Sequence, residues 1–264
     1  MKKGLIIYNQ ADKEKNVWFI EKCLKDLNDD NFSLLYKEES EVLSYIETNK
    51  VDFVINRTRN YGLLTILEKR GIKCFNNSLT NQIANDKYGT YLFAKLFNFP
   101  CLETSLSKKY AIDFPYVVKS VDGHGGQEVY LVKNEEDEQQ LDLKEDKKYI
   151  YQKFISHVCD VRLYILNHQL IGAVKRENDN DFRSNYSLGG NVSSYNPPHE
   201  MVDIAITISS LLHADYIGVD FIIKDNTFVL NEIEDPVGSR MLYQTSEVDI
   251  VSLLIDFIKK EMNK

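Results

Sequence analysis

The sequence lacks most of what would point to redox, zinc or membrane chemistry. Its four cysteines, Cys23, Cys74, Cys101 and Cys159, stand far apart with no CxxC pair. They read as reduced thiols filling a core, which suits a cytoplasmic protein. The five histidines form no HxxxH or HExxH pattern, so a zinc site is not expected. No apolar run is long enough to span a bilayer. The opening MKKGLIIYNQ has a short apolar run but no small-residue cleavage site. It reads as a first strand rather than a signal peptide. Positive charge is in deficit: 32 Lys and Arg face 40 Asp and Glu, a formal charge of −8. That balance argues against nonspecific nucleic-acid binding and leaves room for a local basic pocket. Neither internal repeats nor a low-complexity linker interrupts the 264 residues, so domain boundaries are soft.

What is present is an ordinary globular composition, 43% hydrophobic and 27% charged. Residues 1–80 alternate short strands and helices, which points to a parallel sheet. The strands are Leu5–Tyr8, Phe32–Tyr36, Val51–Asn56 and Lys73–Phe75. Between them Val17, Ile20, Leu24 and Leu27 repeat at helical spacing, followed by helices over Val42–Thr48 and Leu63–Arg70. One helix is expected over Thr80–Phe99, closed by Pro100. Strands follow at Phe114–Lys119, Val129–Lys133 and Lys148–Phe154, with an acidic helix at Asn134–Leu141. Asp160–Leu166 and Gln169–Arg176 form a hairpin signal around Asn167 and His168. Glu177–Tyr195 reads as a long polar loop of the kind that is functional or mobile. A helix over Met201–Leu212, a second hairpin and a helix over Val248–Met262 complete the chain.

Four segments carry possible chemistry. PYVVKSVDGHGGQEVYLV delivers Lys119 from a strand into a loop with Gly123, Gly125 and Gly126. Glycines let backbone N–H groups approach an anion, and lysine offers a compact charge for phosphate. The loop leads into a strand, so it is neither a Walker A nor a Rossmann loop, and a plain glycine-rich connection reads as well. Lys87 follows Asp86 at a helix start and, alone, reads as a solvated surface residue. Arg162, Lys175, Arg176 and Arg183 concentrate positive charge, with Ser184 and Asn185 adding hydrogen-bonding groups. An exposed charged loop is the plainer reading of Lys175–Val192. YIGVDFIIKDNTFVLNEIED places Asp220, Glu232 and Glu234 near one point, provided a three-residue turn at Asp225–Thr227 sets Asp220 opposite Glu232. The flanking residues are too apolar for a wet edge, and magnesium is a partner that prefers oxygen ligands.

Read in order, these pieces resemble the ATP-grasp superfamily, and within it the RimK-like carboxylate–amine ligases, over residues 80–245. DFRSN followed by GG, and GVD with acids twelve residues on, are the specific elements. The resemblance implies an α/β (α+β) ATP-grasp fold. Residues 1–80 would form a parallel α/β domain. Residues 81–148, with the glycine loop, and 149–264, with the metal site, would form two α+β subdomains clasping ATP. It implies that Lys87 and Lys119 contact phosphates and that Asp122–Gln127 folds over them. Gln152, Lys153, Phe154 and Ile155 would meet adenine, largely through backbone atoms. Asp160 stands at an acidic nucleotide contact. Arg183, Ser184 and Asn185 would lie along the phosphates and the acyl intermediate, with Arg183, Lys119 and Asn185 acting in catalysis. Asp220, Glu232 and Glu234 would hold magnesium or manganese. Arg162, Arg176 and Arg240 are candidates for an anionic substrate.

Two departures stand out. Glu234 replaces the family's usual Asn, and Lys153 replaces its usual Glu. The implied reaction joins a carboxylate to an amine through an acyl phosphate, on an amino acid or peptide. Two alternatives stay open, a nucleotide-binding module without ligation and a phosphotransferase. No nucleic-acid or membrane partner is expected, and a homo-oligomer fits by analogy only.

Overall fold

A computed structural model of the chain describes residues 1–108, 113–125, 128–156, 159–177, 191–225 and 227–264. The elements in order are β1 (Lys2–Tyr8), α1 (Gln10–Lys15), α2 (Val17–Leu27), β2 (Phe32–Glu38), α3 (Val42–Thr48), β3 (Phe53–Asn56), α4 (Tyr61–Lys69) and β4 (Lys73–Phe75). Next come α5 (Ser78–Ala84), α6 (Lys87–Leu96), β5 (Thr104–Ser105), β6 (Tyr116–Ser120), β7 (Val129–Val132), α7 (Glu135–Gln139) and β8 (Tyr149–Lys153). The last are β9 (Cys159–Leu166), β10 (Gln169–Glu177), β11 (Asn191–Ser194), α8 (His199–Leu211), β12 (Tyr216–Lys224), β13 (Thr227–Glu234), α9 (Arg240–Thr245) and α10 (Ile250–Met262).

The first sheet is parallel, in the order β2-β1-β3-β4. β1 sends Leu5 and Ile7 to one face and Ile6 and Tyr8 to the other, as expected of a strand buried on both sides. Val42, Leu63, Leu64 and Leu67 of α3 and α4 cover the first face. The second is covered by Phe19, Ile20, Cys23 and Leu27 of α2 and by Val251, Leu254, Ile255 and Ile258 of α10. The last helix of the chain therefore closes the N-terminal layer, across the boundaries drawn from sequence.

The other two sheets are antiparallel, β5-β8-β6-β7 and β11-β10-β9-β12-β13. In the five-stranded sheet one face carries Val161, Leu163, Val219 and Phe221 into a core with Met201, Ala205 and Ile208 of α8. The opposite face carries Asp160, Arg162, Arg176 and Asp220 into a cleft. Leu230 ties β13 to the central layer through a backbone bond to the Pro100 carbonyl at 2.7 Å.

Two sequence expectations change. The single helix over Thr80–Phe99 is two helices, because Asn85 and Asp86 prefer capping geometry to helix interior. The Asp86 carboxylate accepts from Gly89 N at 2.8 Å and starts α6 at Lys87. The long loop Glu177–Tyr195 ends in a strand, since Asn191–Ser194 pairs with β10. Residues 178–190 lie outside the described residues. Among those described, no helix is long and apolar enough to cross a membrane.

Candidate active site

A cleft of about 360 Å³ runs between the three sheets. Its central wall comes from β6, where alternation buries Tyr116 and Val118 and points Val117 and Lys119 into the cleft. Lys119 is buried, and burial pushes its pKa down while Glu232 pulls it back up. Its Nζ donates to Asn231 Oδ1 at 3.1 Å. Lys87, the first residue of α6, donates its Nζ to the Gly123 carbonyl and lies 3.6 Å from Glu232 Oε1. Two cations distant in sequence thus meet one short segment of β13.

A β-bulge shapes that segment. Asp220 pairs with Glu232, but Phe221 pairs with Leu230, so Asn231 is the extra residue. Strict alternation would turn Asn231 away from Glu232. The bulge instead lets Asn231, Glu232 and Glu234 all line the cleft while Leu230 and Ile233 enter the core. The expected three-residue turn is corrected: Lys224 pairs with Thr227, and the odd residue sits in the bulge.

Asp220 and Arg162 face each other directly across β12 and β9. Arg162 grips both carboxylate oxygens, Nε to Oδ1 at 2.7 Å and Nη2 to Oδ2 at 2.8 Å. Arg176 adds Nη2 to Oδ2 at 2.7 Å, and Arg162 Nη2 also reaches Glu234 Oε1 at 2.8 Å. Burial alone would raise the Asp220 carboxyl, but the two guanidinium groups pull it down to about 2. Burial raises the Glu234 carboxyl, against the pull of Arg162. Gly218 lets Arg162 lie flat, because a Cβ there would sit 2.7 Å from Val237 and 3.3 Å from Arg162 Cδ. The three carboxylates read from sequence are therefore not a free acidic cluster. Arg162 and Arg176, read as open to substrate, spend much of their charge on Asp220 and Glu234.

Among the described residues no group of three His, Cys, Asp or Glu side chains is placed to hold a metal ion. The donors still fit magnesium of one kind. Glu232 and Glu234 supply oxygen from one strand face, and magnesium binds through one or two carboxylates plus substrate phosphates rather than an all-protein cage.

The far end of the cleft is more apolar, with Leu102, Val117, Val129, Phe154, Ile155 and Ile222. Gln152 donates to Thr104 Oγ1 at 2.8 Å, while its buried Oε1 has no partner among the described residues. Lys153 and the buried Asp160 also line this space. Of the loop expected over Asp122–Gln127, Asp122, Gly123, the exposed His124 and Gly125 are described, and the last three line the cleft. Gly126, Arg183, Ser184 and Asn185 lie outside the described residues. Arg240 stands at the cleft edge, exposed, with Nη2 donating to the Lys15 carbonyl at 2.7 Å.

The N-terminal layer adds a wall that motif reading missed: Tyr8, Asp12, Lys15, Arg57 and Arg59. Tyr8 ends β1 and Arg57 follows β3. Ligands of open α/β sheets sit at the carboxyl ends of parallel strands, and that rule would have found both residues.

A family model described as the RimK-like ATP-grasp domain matches residues 96–258. An uncharacterized protein of Mycoplasma genitalium is 30% identical over 271 residues, covering 100% of this chain and 94% of that protein. Human N-acetylaspartylglutamate synthase A is 30% identical over 152 residues, covering 55% of this chain and 39% of the synthase. Among solved structures, D-alanine–D-alanine ligase from Bacillus anthracis aligns with a TM-score of 0.78 at 17% identity, covering 99% of this chain and 97% of that one.

Proposed function

The chain belongs to the RimK-like ATP-grasp family, and from that premise we propose that it is an ATP-dependent carboxylate–amine ligase. The ATP-grasp architecture expected from sequence, a mixed α/β fold with parallel and antiparallel sheets, is the one observed. The observation that carries the reading is the meeting of Lys87 and Lys119 with Asn231 and Glu232 in one cleft.

In this reading Lys87 and Lys119 hold the triphosphate, and the Gly123–Gly125 turn closes over it. The apolar end around Val117, Val129 and Ile222 takes the base, and the orphan Oε1 of Gln152 accepts from an amino group there. Glu232 and Glu234 would hold magnesium against the phosphates, with Asp220 fixing the arginines beside them. Bound there, the metal would offset negative charge on the transferring phosphoryl group. A substrate carboxylate oxygen attacks the γ-phosphorus, and the bond to ADP breaks. An amine then attacks the acyl carbon and phosphate leaves, taking up the amine proton. Acyl phosphates hydrolyse readily, so the loop must exclude water. Positioning and charge supply most of the rate, which suits a cleft whose described residues form no histidine or cysteine catalytic set. The synthase relative is named for a product that joins an acidic acyl group to glutamate, and the cations of the cleft suit acidic substrates.

The test is ADP release with ATP, magnesium and panels of amino acids and short acidic peptides. Turnover above a Lys119→Ala control is expected, and its absence throughout overturns the ligase reading. The arginine-bound Asp220 favours one second reading, a module that binds nucleotide without ligation. Tight ATP binding with no ADP release would select it.

A further inference from the structure

Of the two arginines in the N-terminal wall, Arg57 is the one without a carboxylate partner among the described residues. It is 6% exposed. Its Nε donates to the Tyr8 hydroxyl at 3.2 Å, and its Nη2 donates to the Val237 carbonyl at 2.6 Å. The guanidinium carbon lies 4.7 Å from the centroid of the Phe19 ring. All three partners are neutral. Among the described residues no carboxylate pairs with Arg57, whereas Arg59 has Asp12 and both Arg162 and Arg176 have Asp220. Asp235, which acts on Arg57 at longer range, is itself held by Asn76 at 2.9 Å and Asn81 at 2.7 Å.

A buried guanidinium cannot shed its proton, so its charge calls for an anion. The remaining nitrogen, Nη1, makes no hydrogen bond among the described residues, and Arg57 lines the cleft. The fork is already oriented: Tyr8, Phe19 and the Val237 carbonyl fix its plane, so little side-chain freedom remains to be lost on binding. The nucleotide is not the natural occupant. Lys87 and Lys119 gather at Glu232 and Asn231, and the base slot lies beyond them on the β6 and β8 wall. Arg57 instead holds the loop after β13, three residues past Glu234, against the carboxyl ends of β1 and β3.

We infer that Arg57 anchors a non-reacting carboxylate of the substrate, seated between the carboxyl ends of β1 and β3 and the loop around Val237. This rests on the ligase reading and adds to it a substrate class: a molecule with one carboxylate or amine that reacts and a second carboxylate that only binds. An amino acid on the amine side and a dicarboxylic acid on the acyl side share that chemistry.

The test is calorimetric binding to the full chain with magnesium and a non-hydrolysable ATP analogue. The probes are L-glutamate against its α-amide, and succinate against succinamate. At least one acid should bind and its amide should bind about thirtyfold more weakly or worse, as expected when a buried charge loses its partner. Arg57→Met should erase that difference, and Arg57→Lys should restore part of it, because charge returns without the fork. The first pair selects the amine side and the second the acyl side. An unchanged acid-to-amide ratio in Arg57→Met overturns the inference. So does the failure of both acids to bind, or a loss confined to the nucleotide analogue. ADP release in parallel separates the two readings. Arg57-dependent discrimination without ADP release keeps the anchor and sinks the ligase, while ADP release indifferent to Arg57 does the reverse. Where turnover occurs, Arg57→Lys should raise the KM for the acid more than it lowers kcat.

Discussion

Arg162 lies across both oxygens of Asp220, at 2.7 and 2.8 Å, from the neighbouring strand. Arg176, one strand further out on β10, donates to the same carboxylate at 2.7 Å. A carboxylate 2% exposed between two arginines is fixed in place and fixes them in turn. Asp220→Asn leaves two buried guanidinium groups without their shared anion. Loss of about 3–5 kcal/mol of stability is expected, read from urea denaturation at neutral pH. The pH dependence has a definite sign. The folded pKa is depressed to about 2. The contribution is therefore full above the unfolded value of about 4 and is lost as pH falls through that window. A wild-type urea midpoint that drops toward that of the Asn variant on acidification is the expected result.

Asp215 predicts the opposite slope. It is buried, with no partner for Oδ2 among the described residues and Lys73 Nζ 3.7 Å from Oδ1. Burial pushes its pKa up to about 7. A raised carboxyl favours the fold at low pH, and that advantage disappears as pH rises from the unfolded value toward the folded one. Between about pH 5 and pH 8, the wild type should lose about 2 kcal/mol more than Asp215→Asn. Parallel curves for the two proteins would refute it.

Lys119 separates stability from function. Its ammonium is buried with a pKa lowered by desolvation, so the fold gains little from the charge. Lys119→Met should keep the urea midpoint at or above the wild-type value. In the ligase reading, ADP release should fall by about a hundredfold to a thousandfold, the scale of losing one placed donor at a developing anion. A midpoint that falls together with activity would mean that Lys119 is structural.

The strands and helices of the N-terminal layer were legible because their apolar residues repeat cleanly, as Leu5 and Ile7 against Ile6 and Tyr8 illustrate. The bulge at Asn231 was not, since a turn one residue longer explains the same Asp220–Glu232 register. Arg162 and Arg176 read as open basic groups because their partner sits on another strand, 58 and 44 residues away. Arg57 belongs to no local motif. Only the topology of β1 and β3 brings it to the cleft.

Glu234 is one of the two departures read from the sequence, and its surroundings give that departure a consequence. Its Oε1 already serves Arg162 at 2.8 Å, while Glu232 faces Lys87 at the longer distance of 3.6 Å. Burial raises the Glu234 carboxyl, so part of its affinity for a cation is offset by the cost of ionising. Glu234→Asn keeps an oxygen donor on a side chain one methylene shorter, frees one guanidinium N–H of Arg162 and removes a negative charge. In the ligase reading, the magnesium needed for half-maximal ADP release should rise roughly tenfold, the lower end of what a lost supporting partner costs a metal site. Maximal rate at saturating magnesium should change much less, because Lys87, Lys119 and Glu232 are untouched. A magnesium titration of both proteins decides it. Superimposable curves would place Glu234 outside the metal site and leave it as a brace for Arg162.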